Sequence, residues 1–152
     1  MKKILISPVI LFILFLTDCK KIDNSFSDSS FINIAYMDKL GNDLLDTTRQ
    51  NYFSHGSIHV YNVVKGIKKE VYNPMADYPH NFLIYDNQDL KSFYLRLFLE
   101  TDTTFLELNK TTIDTITTVI YKTTNLRYID KLWYNGDLKW QSGGLPNCSI
   151  VK

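Results

Sequence analysis

With only two cysteines, Cys19 and Cys148, in 152 residues, the sequence has no disulfide framework to read. No basic run is longer than a few residues, which argues against nucleic acid as a partner, because that binding rests on neutralising phosphates. No apolar run reaches the ~20 residues needed to cross a hydrocarbon core. The Gly-x-Ser-x-Gly elbow of serine hydrolases is missing, and no long segment carries the helical period. These absences leave a chain that can still bury roughly two-thirds of its surface, enough for one core without metal or disulfide staples.

What is present begins with Lys2 and Lys3, followed by an apolar run from Ile4 to Leu16 broken only by Ser7 and Pro8. This is the layout of a cleavable export signal over residues 1–18. The run ends in Leu16-Thr17-Asp18-Cys19, which resembles the lipobox of bacterial lipoproteins. That resemblance implies lipidation of Cys19, which becomes the first residue of the mature chain and ties it to the membrane. Asp18 departs from the small residue usual before the cysteine. The alternative is a secreted protein in which Cys19 is free or pairs with Cys148. If Cys19 carries lipid, Cys148 has no partner in the chain and reads as a small buried hydrophobe near the C-terminal strand. Cleavage removes Lys2, Lys3 and Asp18 and leaves 15 basic and 15 acidic residues, a balanced mature chain.

From Lys20 to Ser30 the composition turns to Lys, Asp, Asn and Ser, so residues 19–30 read as the lipidated cysteine and a flexible tether. Residues 31–152 read as one all-β domain, an immunoglobulin-like or related β-sandwich of about 7–10 short strands. Ser92 to Leu99 is the clearest strand, with Phe93, Leu95, Leu97 and Leu99 on one face and Tyr94, Arg96 and Phe98 on the other. Similar alternation occurs at Phe31 to Met37, Ser57 to Val64, Ile67 to Tyr72, Asn81 to Tyr85, Thr103 to Asn109, Thr115 to Lys122 and Tyr128 to Tyr134. Asn135-Gly136 between apolar runs predicts a two-residue type I′ hairpin in which Tyr134 faces Asp137 and Trp133 faces Leu138. Strict alternation then puts Trp133, Leu138 and Trp140 on the core face with Ile129.

Four segments in order, Gly41-Asn42-Asp43-Leu44-Leu45-Asp46, Asn73-Pro74 with Asn81-Phe82, Phe93-Tyr94-Leu95-Arg96-Leu97 and Lys131-Leu132-Trp133-Tyr134-Asn135-Gly136, resemble a family of small lipoproteins from Bacteroidota. The resemblance spans most of the mature chain and implies a β-sandwich and an envelope location. It carries no activity.

Candidate chemistry is sparse. His55 and His59 are four apart, but Gly56 lies between them and a strand follows, so they read as surface or loop histidines. His80 has no evident partner. Asp38, Asn42, Asp43 and Asp46 crowd one turn and would suit calcium, yet they are equally ordinary turn formers, and the spacing is not that of an EF-hand. Glu100 and Glu107 read as solvated strand ends. No catalytic residue, metal ligand or cofactor is assigned. Asp46-Thr47-Thr48, Asp102-Thr103-Thr104 and Asp114-Thr115-Ile116 resemble the O-glycosylation pattern of exported Bacteroidota proteins, making Thr47, Thr103 and Thr115 candidate acceptors.

The sequence has ten tyrosines, and Tyr52, Tyr61, Tyr72 and Tyr78 fall near turns, where rings can meet a sugar or a protein. The expectation is a non-catalytic binding or accessory module for glycan or protein, lipid-anchored to the outer membrane, surface-exposed or periplasm-facing. A structural or inhibitory partner of another envelope protein is second, and a hydrolase third.

Overall fold

The structure, a computed structural model, describes residues 27–88 and 91–152. The signal expected over residues 1–18, the lipidation expected at Cys19 and the stretch read as tether before Ser27 lie outside these residues. The described chain forms eleven strands: β1 (Ser27–Ser29), β2 (Phe31–Met37), β3 (His59–Val64), β4 (Ile67–Glu70), β5 (Phe82–Asn87), β6 (Ser92–Phe98), β7 (Thr103–Asn109), β8 (Thr112–Lys122), β9 (Leu126–Tyr134), β10 (Asp137–Gln141) and β11 (Asn147–Val151). Among the described residues no helix is long and apolar enough to cross a membrane.

Two sheets face one another. The larger has seven strands in the order β1-β9-β8-β7-β3-β4, with β10 also on β9, and the smaller runs β11-β2-β6-β5. Both are mixed, because β1 lies parallel to β9 and β11 parallel to β2. The fold class is thus the all-β sandwich expected, with one strand more than the upper figure. β1 falls inside the stretch read as tether.

The inward ranks follow from alternation. Leu106 and Leu108 of β7, Ile116 of β8 and Leu132 of β9 meet Ile32, Ile34, Leu95 and Leu97 of the small sheet, all fully buried. Each such side chain contributes about 1.5–3 kcal/mol when fully removed from water. β8 is a run of β-branched residues, which suits a pleated strand. Its inward rank also carries Asp114 and Thr118. The Asp114 carboxylate accepts hydrogen bonds from Tyr134 Oη (2.6 Å), Asn135 Nδ2 (2.7 Å) and Lys152 Nζ (2.5 and 2.6 Å). Tyr134 Oη in turn lies 2.9 Å from Tyr36 Oη. Burial raises the pKa of both phenols well above the ordinary tyrosine value, as expected for hydroxyls shut away from water.

One expectation fails for a definite reason. The Asn135-Gly136 turn forms with positive φ at both positions, 52° and 89°, and Tyr134 does face Asp137 and Trp133 does face Leu138. However, Ile120 pairs with Ile129 while Val119 pairs with Lys131, leaving Asp130 as an extra residue, and Lys139 is likewise extra between Leu138 and Trp140. These paired bulges reverse the phase of both strands. Ile129 and Trp140 still pack on the core, but Leu132 and Tyr134 take the inward places and Leu138 is left 52% exposed. Trp133 turns outward.

Candidate ligand-binding cleft

Three chain segments meet at the end of the sandwich where β1 begins. The chain passes from the large sheet to the small one at Ser30, between β1 and β2, and from the small sheet to the large one at residues 99–102, between β6 and β7. Leu99 N donates to Ser30 O (2.8 Å), tying the two crossings together. The start of β9 lies alongside, with Arg127 opposite Asp28 in the β1 register. A fourth segment, residues 73–81, folds over this end.

Between these segments lies an open cleft of about 370 Å³, lined in part by Asp28, Phe31, Asp77, Tyr78, Glu100 and Arg127. Its volume is that of a small-ligand site. Phe31 and Phe98 are cross-strand partners with ring centroids 6.4 Å apart. Tyr78 stacks on Phe98 at 4.9 Å with planes 13° apart and keeps 42% of its surface exposed. Its loop is held by Asn73 N to Pro79 O (2.8 Å), Ala76 N to Asn73 O (3.1 Å) and Asn81 N to Tyr78 O (2.9 Å). Asn81 adopts φ of 56°, a conformation asparagine tolerates better than most residues. It also borders the cleft, and its Nδ2 is buried without a hydrogen-bond partner among the described residues. Such a donor is costly to leave unpaired.

The polar wall is preorganised. Arg127 Nη2 donates to Leu99 O (2.8 Å) and Nη1 stands 3.5 Å from Asp28 Oδ2. Asp28 Oδ1 accepts from Ser30 N (2.8 Å) and from Ser30 Oγ. Glu100 accepts a 3.3 Å bond from Asn62 Nδ2. A second depression of about 380 Å³ adjoins the first through Glu100 and Arg127 and adds Asp102, Ile120 and Lys122. An aromatic face beside fixed carboxylates and a guanidinium can stack a flat apolar surface and hydrogen-bond a ring of hydroxyls.

The residues singled out from sequence lie mostly elsewhere. Of the four tyrosines, Tyr78 alone lines this cleft; Tyr61 bonds Glu107 (3.1 Å) under Lys68, and Tyr72 lies 5.1 Å from His80. His55 packs 4.7 Å from Phe82, whereas His59 bonds Glu70 at 2.8 Å. In the Asp38 loop, at the opposite end of the sandwich, the carboxylates bind their own chain. Asp38 accepts from Leu40 N, Asn42 N and Asn42 Nδ2, and Asp43 from Leu45 N, Ser92 Oγ and Phe93 N. Among the described residues no three His, Cys, Asp or Glu side chains gather to hold a metal ion. Thr47 is exposed in that loop, while Thr103 and Thr115 are half-buried on β7 and β8. Cys148 is half-buried against the core, and burial pushes its thiol up to about 12.

Sequence reading missed Asp28, Phe31 and Arg127 as cleft residues. The outward placing of Phe98 was its one available signal. Compared with family models, curated proteins and solved structures, the chain matches none of them.

Proposed function

We propose that this protein is a lipoprotein of the cell envelope, anchored to the outer membrane through Cys19, whose sandwich acts as a non-catalytic binding module for glycan. The cleft carries this reading: the exposed Tyr78 ring and the fixed Asp28–Arg127 pair face one opening. A sugar ring has an apolar CH face for the tyrosine and hydroxyls for the charged wall. The arrangement suits recognition, since it presents an acceptor-and-donor wall rather than a nucleophile beside a base.

The test is a glycan array probed with the soluble Cys19→Ala chain and with the same chain carrying Tyr78→Ala. Retention on at least one saccharide, weakened about tenfold by Tyr78→Ala, is expected if the ring contributes about 1.4 kcal/mol. Absence of retention on every host and dietary glycan would overturn the reading.

A protein partner in the envelope is the second reading. It is favoured by the outer face of the large sheet, where Ile113, Val119, Tyr121 and Leu138 are each about half exposed. Co-purification from native membranes, abolished by Val119→Glu, would replace the glycan reading. Modification at Thr47, Thr103 and Thr115 belongs to the same proposal of an exported envelope protein, and Thr47 is the most accessible of the three. Hexose-spaced additions in the intact mass of the native protein are expected, and a mass equal to polypeptide plus lipid would overturn them.

A further inference from the structure

The cleft lies at the end of the domain where the described chain begins. Asp28 belongs to β1, and β1 is the described segment nearest in sequence to Cys19. Eight peptide steps separate Cys19 from Ser27, a contour of at most about 29 Å. The sandwich is about that long: Ser27 is level with Leu126, and β9 runs eight steps from Leu126 to Tyr134, about 26 Å. Only a fully extended segment brings the end bearing the Asp38 loop and the Asn135-Gly136 turn to the bilayer that holds Cys19, whereas the end bearing the cleft meets it at any extension.

Charge narrows what the cleft meets there. Around the two joined depressions stand Asp28, Asp77, Glu100 and Asp102 against Arg127 and Lys122, and Arg127 is already engaged by Asp28. The remaining acidic excess repels phosphate and uronate groups, since like charges disfavour one another at close range. Tyr78 supplies the stacking surface that an uncharged sugar needs.

From these placements we infer that the cleft faces the membrane surface and takes the uncharged sugar headgroup of a membrane glycolipid. This rests on the saccharide reading and on lipidation of Cys19. A free saccharide offers the same ring chemistry, so the experiment separates the two sources.

The lipidated full chain, with Cys148→Ala, carries a single fluorophore at Met75→Cys, beside the cleft, or at Leu40→Cys, at the opposite end; these residues are 91% and 87% exposed. On vesicles containing nitroxide-headgroup phosphatidylcholine, the Met75 probe loses most of its emission and the Leu40 probe keeps it. Equal quenching at both sites, or stronger quenching at Leu40, overturns the orientation.

In parallel the Cys19→Ala chain is sedimented with phosphatidylethanolamine vesicles with or without the glycolipid fraction of the native host. Sedimentation that requires the glycolipid, and that Tyr78→Ala reduces about tenfold, is the expected result. Circular dichroism establishes that the variant is folded. Retention on free glycans without glycolipid-dependent sedimentation overturns the membrane source and leaves the saccharide reading intact. Failure in both formats overturns both.

Discussion

The two ends of the sandwich carry similar numbers of carboxylates and, Asp28 apart, use them in opposite ways. At the end distant from β1, Asp38, Asp43, Asp46 and Asp114 each accept several hydrogen bonds from nearby backbone and side chains. At the end where β1 begins, Asp77 and Asp102 form no side-chain hydrogen bond or ion pair among the described residues, and Glu100 accepts a single long one. A carboxylate saturated by its own loop holds the fold, and one facing an open cleft remains available to a ligand. Acidic density in a sequence therefore says little about binding until the donors around each group are known.

The largest difference between the ends is expected at Asp114. Replacing it with alanine leaves Tyr134 and Lys152 without their shared acceptor and is expected to cost about 3 kcal/mol in urea unfolding, the low end for breaking a buried ion pair. A loss no larger than that of a surface change would remove the contrast. Asp43→Ala detaches the loop from Ser92 and Phe93 and is expected to cost about 2 kcal/mol, following the penalty for stranding buried donors.

Acid titration should separate the ends without mutation. Hydrogen bonds from Asn42 to Asp38 and from Thr48 to Asp46 hold both carboxyls below their ordinary value. A carboxyl with a lowered folded pKa contributes stability that is fully present above its unfolded value, about 3.9, and is lost as pH falls through the folded value. Amide exchange in residues 38–51 should therefore rise below about pH 4 before exchange in the buried β6 strand does. Simultaneous loss in both places would count against a local effect. The smallest change is expected from Asp77→Asn, which should alter stability by less than about 0.5 kcal/mol while changing glycan retention.

The fold was largely legible because alternation is local: Leu95, Leu97 and Leu99 need only their neighbours to reveal a buried face. The phase of β9 was not legible. A bulge at Asp130 is decided by pairing with β8, a partner that the residues around Asp130 do not announce. The same logic applies to the sites. The Asp38 cluster was conspicuous because its members are adjacent in sequence, and that adjacency is what lets them bond one another's backbone as turns. The cleft was hidden because Phe31, Tyr78, Phe98 and Arg127 come from four separated segments and meet only after both sheets close.

The position of β11 bears on how the chain reaches this structure. Asn33 of β2 bonds Asn147 of β11 across 114 residues, and Ile150 completes the core against strands synthesised long before it. Parallel pairing over such a distance requires closure of a large loop before any contact rewards it, which makes the final step slow. Until residues 147–151 arrive, β2 has one flank open and its backbone groups unpaired. A chain so arranged keeps its small sheet unfinished until β11 has paired with β2.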